Sequence, residues 1–121
     1  ASLAVLFMDG SFCPVHVGHL QALEAAKQAV EGRHLGRCVV GGYLVPASES
    51  YVRKKNGIGA DIQVRSGGQL GSQAVRVRLC ELASSTSPWV SVWPCTAGSP
   101  RAIYKSLCCE LEQVITSHPF A

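Results

Sequence analysis

The chain has little charge and few aromatic rings: 16% of its 121 residues are charged and 7% are aromatic. The net charge is only +3, and no basic block is interleaved with aromatics, so nothing argues for a nucleic-acid partner. No apolar run approaches the roughly 20 residues that a membrane helix needs. The opening residues lack a basic segment ahead of their apolar run, so no secretory signal is expected. The six cysteines include no C-x-x-C pair and no Cys/His cluster at zinc spacing, so they suggest neither a disulfide framework nor a metal site. They read as reduced thiols in a cytoplasmic or nuclear protein, and several sit in apolar contexts where cysteine acts as a small hydrophobe. No carboxylate cluster marks a metal, and no repeat emerges beyond an alternation of strands and helices.

What the chain does contain is the stretch Gly10-Ser11-Phe12-Cys13-Pro14-Val15-His16-Val17-Gly18-His19. An apolar run, Leu3 to Met8, precedes it, and a helical pattern, Leu20 to Val30, follows. A strand, a glycine-containing turn and a helix start, in that order, build an anion site. The first N–H groups of a helix have no internal partner and point outward. His16 and His19, three residues apart, fall on one side of the entering helix. Their rings can hydrogen-bond phosphate oxygens and stabilise charge that builds there. The plainer alternative is a turn with a helix-capping histidine.

The rest of the chain reads as further strand–helix pairs. Leu3–Met8 is apolar throughout, as in a central parallel strand buried on both faces. Residues 17–31 are predicted helical, with Leu20, Leu23, Lys27 and Val30 near a 3.6 period. Ala22, Ala25, Ala26 and Ala29 fill the close-packed side, Lys27 buries its stem, and Gly32 caps the end. Residues 37–45 form a second strand stopped by Pro46, and glycines within it suggest close backbone approach. A loop over 47–72, basic and then glycine-rich, is long enough to be functional or flexible. A helix over 73–84 presents Val75, Leu79, Leu82 and Ala83 on one face, with Arg76 and Arg78 beside them. Trp89–Trp93 alternates as a third strand. A last helix over 101–117 starts at Ser99-Pro100 and carries the stripe Ile103, Leu107, Leu111, Val114 and Ile115. These units predict a single α/β domain over 1–121, a Rossmann-like open parallel sheet with flanking helices.

Gly-Ser-Phe-x-Pro-x-His-x-Gly-His resembles the signature of the nucleotidylyltransferase superfamily. Gly42-Tyr43-Leu44-Val45-Pro46, then Ser50-Tyr51 with the basic cluster, then Glu81-Leu82-Ala83 and Ser87-x-Trp89-Val90, are similar to the nicotinamide mononucleotide adenylyltransferases of eukaryotes. The resemblance covers roughly residues 3–95 and implies adenylyl transfer from ATP to nicotinamide or nicotinate mononucleotide, with release of pyrophosphate. It implies that Gly10, Ser11, Phe12 and Gly18 line the phosphates, that His16, His19 and a basic-loop residue, Lys54 or with a one-residue shift Arg53 or Lys55, carry the catalysis, and that Trp89, Val90 and Val92 receive the pyridine ring. It further implies that Arg76 shapes the substrate pocket, and that Mg2+ is held by substrate phosphates rather than by a protein cage. The chain departs from the pattern at Cys13, where a small polar residue such as asparagine is common. It departs again at Val75, where histidine is frequent, and in a lengthened glycine-rich loop.

No residue need act as nucleophile in such a reaction: the acceptor phosphate attacks the α-phosphorus in line, and the site positions and stabilises. Three other readings share part of this evidence. One is a cytidylyltransferase or another adenylyltransferase on the same core, and one is a non-catalytic nucleotide-binding remnant. The last, and weakest, is a cysteine enzyme around Cys13 and His16. The family has a second half with a triphosphate-gripping helix start, and nothing after residue 95 resembles it. The expectation is therefore an incomplete site, weak or no catalysis from these residues alone, and a sheet edge that pairs with a second copy or a covering segment.

Overall fold

The computed structural model describes residues 2–32, 37–48, 52, 72–93 and 99–117. Their elements run β1 (Leu3–Gly10), α1 (Val17–Glu31), β2 (Cys38–Pro46), α2 (Gln73–Ser84), β3 (Val90–Val92) and α3 (Pro100–Ser117). Lys54 and nearly all of the 47–72 loop lie outside the described residues. The strands form one parallel sheet in the order β1-β2-β3. An open α/β layer of Rossmann-like type is therefore present. No described helix is long and apolar enough to cross a membrane.

Side-chain alternation along the strands divides the interior in two. Leu44 of β2, with Leu6 and Met8 of β1, faces α1 and α2 and packs with Phe12, Leu23, Cys80 and Val90. Val45 and Tyr43 face the other way, where Phe7, Trp93 and Ile103 of α3 meet them. The β1–β2 register slips between Ala4 and Val5, so that Ala4 pairs with Val39 and Val5 with Gly41. Val40 is the extra residue of this bulge and stands 55% exposed.

Short polar contacts set the element ends. Ser72 Oγ accepts the Val75 N–H at 3.2 Å and starts α2. Ser99 Oγ accepts the Ala102 N–H at 3.2 Å, with Pro100 in the first turn of α3 as expected. Ser87 Oγ accepts the N–H groups of both Trp89 and Val90, at 3.3 and 3.1 Å, and so delays the third strand to Val90. Gly32 closes α1 in an ordinary extended conformation, φ −76°.

Three expectations are corrected. Leu23 is the buried residue of α1, whereas Ala22, Ala25, Ala26 and Ala29 face solvent. The methyl of alanine is small enough for either side, so it gave no true face. On α2 the buried line is Arg76, Cys80 and Ser84, and Leu82 is 53% exposed. Among the described strands β2, not β1, is central, because β1 pairs with β2 alone.

Candidate functional site

The candidate site begins where β1 ends. Phe12, the second residue after the strand, has φ 47°, a left-handed conformation rare for a side chain of this size. The bond between Cys13 and Pro14 is cis. The Phe12 ring turns inward, is 2% exposed, and lies over Gly10, where an added Cβ would come within 3.3 Å of it. Its backbone N–H has no partner among the described residues.

His16 is the N-cap of α1, and the two histidines cap the helix reciprocally. His16 Nδ1 accepts the Gly18 N–H at 3.1 Å, and His19 Nδ1 accepts the His16 N–H at 3.0 Å. The rings stack with centroids 3.8 Å apart, and His19 meets the Phe12 ring edge-on at 4.8 Å. A backbone N–H can only donate, so both Nδ1 atoms must be bare. In the neutral rings the proton then sits on Nε2, which makes Nε2–H a donor on each. Neither Nε2 has a partner among the described residues. Capping and anion binding are thus compatible readings of the same pair. Burial, and the neighbouring His16 charge, hold the His19 pKa below its ordinary value. That favours the neutral donor tautomer near pH 7. Gly18 is required beneath this arrangement, since a Cβ there would stand 2.9 Å from His16 Cε1 and Nδ1.

Arg76 is not at the surface. It is 0% exposed, and its guanidinium reaches two carbonyls distant in sequence: Nη1 donates to Ser11 O at 2.8 Å and Nη2 to Ala47 O at 2.6 Å. Ala47 N–H donates in turn to Gly10 O at 2.8 Å. Arg76 and the Ala47 N–H therefore tie the ends of β1 and β2 together behind the bend.

The residues expected to receive a pyridine ring lie on β3 and directly before it. The Trp89 indole rests on Gly42, where a Cβ would be 2.5 Å from Cζ3. Its Nε1–H donates to Glu24 at 3.0 Å, and the Lys27 ammonium lies 5.7 Å from the ring centroid. Lys27 also pairs with Glu31 at 3.0 Å. Trp89 and Val90 border a groove of about 270 Å3 with Val40, Gly41, Gly42 and Tyr43. Val90 is 7% exposed and packs in the core, and Val92 is half-buried against the same cluster. Tyr43 pairs with Phe7 while Gly10 pairs with Pro46, so groove and bend are about 10 Å or more apart along the strands. The structure brings together His16, His19, Gly10, Ser11, Phe12, Gly18 and Arg76, and packs Val90, Val92 and Trp89 on the cluster that holds the Phe12 ring, with Trp89 and Val90 also bordering the groove. Glu24 was not singled out from the sequence, and Lys27 was placed on the apolar stripe of α1 without its partner Trp89. Their spacing on one flank of α1 was the available signal, but it reads equally as a solvated face.

No group of three or more metal-ligating side chains occurs among the described residues. No protein-family model matches the chain. It is 40% identical over 90 residues to a nicotinamide/nicotinic acid mononucleotide adenylyltransferase of Oryza sativa subsp. japonica, covering 74% of this chain and 30% of that protein. It is 32% identical over 95 residues to nicotinamide/nicotinic acid mononucleotide adenylyltransferase 2 of Xenopus tropicalis, covering 75% of this chain and 25% of that protein. The chain thus spans less than a third of the length of either relative, and over that stretch it is related to the nucleotidylyltransferases.

Proposed function

We propose that the chain carries the phosphate-cradling part of an adenylyltransferase site that joins ATP to nicotinamide or nicotinate mononucleotide and releases pyrophosphate. The observation that carries this reading is the reciprocal histidine cap, which occupies both Nδ1 atoms and leaves two Nε2–H donors at the first turn of α1, with the His19 ring 4.8 Å from that of Phe12. The names of the two relatives supply the substrates.

In this reading the acceptor phosphate attacks the α-phosphorus in line, and the chain contributes no nucleophile. The bend and the helix N-terminus bind the phosphates. His16 and His19 donate to the oxygens on which charge accumulates as pyrophosphate leaves. Lys54, outside the described residues, is assigned to the same phosphates. Mg2+, held by substrate phosphates and water, would add neutralising charge.

Pyrophosphate release from ATP and nicotinamide mononucleotide, compared between the wild type and His19→Ala, tests the reading. A drop of about a hundredfold, as for the loss of one charge-stabilising donor, is expected. Equal rates would remove His19 from the mechanism. Binding of ATP without turnover would favour the nucleotide-binding remnant, a reading supported by the ties that already engage Trp89. Stabilisation by CTP but not ATP would favour a cytidylyltransferase.

A further inference from the structure

The geometry points to Arg76 as the positioning residue of the anion bend, the group that turns the Phe12 N–H outward as a phosphate donor. The inference rests on the anion-site reading above.

A peptide group is planar and trans, so its C=O and N–H point in opposite directions. The Ser11 carbonyl belongs to the same peptide plane as the Phe12 N–H. Arg76 Nη1 holds that carbonyl inward at 2.8 Å, and the Phe12 N–H must then face away from the guanidinium. This is the N–H that lacks a partner among the described residues, although Phe12 itself is 2% exposed. A buried N–H left open costs free energy unless something else satisfies it. The reciprocal case is as telling: with the plane flipped, the Ser11 carbonyl would face the anion and repel it. Nη2 holds Ala47 O at 2.6 Å, so the same planar fork sets the spacing between the bend after β1 and the end of β2. A planar guanidinium can bridge two carbonyls from one fixed geometry, which a lysine ammonium on a flexible stem does not reproduce. Arg76 is itself 0% exposed, so it acts through the bend and not on the ligand.

The test is an NMR titration of the 121-residue chain with inorganic tripolyphosphate, on the wild type and on Arg76→Lys. In the wild type, the Phe12 amide and the His16 and His19 rings are expected to move together. In folded R76K, the Ser11 carbonyl 13C signal should move upfield before any ligand is added. The Phe12 amide should cease to respond, and the dissociation constant should rise about tenfold. An unchanged Ser11 carbonyl, or a Phe12 amide that still responds with wild-type affinity, would overturn the inference. The two readings fail separately. If tripolyphosphate moves neither histidines nor Phe12, the anion site itself falls; if it moves the histidines and not Phe12, only the role of Arg76 falls. Should R76K not fold, the wild type decides: Arg76 Nη signals that shift in step with Phe12 support the coupling, and static ones refute it.

Discussion

Replacing Gly18 by alanine separates the placement of His16 from the stability of the helix it caps. The new Cβ would stand 2.9 Å from Cε1 and Nδ1 of the imidazole, closer than real contacts allow. The ring has to swing away, and the Gly18 N–H loses its acceptor at 3.1 Å. Loss of an N-cap costs about 1 kcal/mol. Alanine in place of glycine recovers up to about 1 kcal/mol of helix propensity. The two terms nearly cancel, so the melting midpoint should move by less than about 4 °C, the shift that 1 kcal/mol produces in a domain of this size. Ligand affinity has no such compensation. A hydrogen bond to a charged group is worth about 1.5–3 kcal/mol, so displacing His16 Nε2 should weaken ATP binding roughly ten- to a hundredfold. Circular dichroism melting and isothermal titration measure the two quantities on the same sample. Unchanged ATP affinity in a normally melting Gly18→Ala protein would refute the assignment of His16 to the phosphates.

Leu44 is fully buried in the main cluster, so Leu44→Ala should cost about 2–5 kcal/mol in urea denaturation; a loss well under 1 kcal/mol would contradict the packing. His19 is held below its ordinary 6.5 by burial and then by the His16 charge, so the unfolded chain takes up its proton first. Stability should be full above about pH 6.5 and decline as pH falls toward the lowered native value; a ring titration at or above 6.5 by NMR would contradict this. Burial pushes the Cys80 thiol up to about 11 from 9.0. Cys80 should therefore resist alkylation at pH 8 while exposed Cys13 and Cys109 react. Its contribution to stability is present below pH 9 and lost as pH rises toward 11, so mass mapping that finds Cys80 labelled in the native protein would count against its burial.

The elements that rest on local signals were legible in the sequence. Helix α1 runs Val17–Glu31 as the pattern predicted, and Ser99-Pro100 starts α3. The bend between β1 and α1, too, could be placed from glycine, histidine and the change of period alone. What stayed hidden depends on partners far along the chain. Arg76 breaks the apolar pattern of α2 because carbonyls 65 and 29 residues away satisfy its guanidinium, and no periodicity encodes that. The same holds for Trp89, whose tie to Glu24 spans 65 residues. The position of β1 at the side of the described sheet was equally invisible, since an apolar run reads alike in an inner or an outer strand.

Phe12 serves the interior and the bend at once. Its ring is a wall of the main cluster and stands edge-on to His19, while its backbone holds the left-handed turn. The bend cannot flex open without drawing an aromatic ring out of packed surroundings. On the proposed reading, its donors are therefore set before any ligand arrives, and little ordering entropy is lost on capture. On the same reading, a substitution at Leu23, in the cluster that holds the ring, would loosen the bend together with the core.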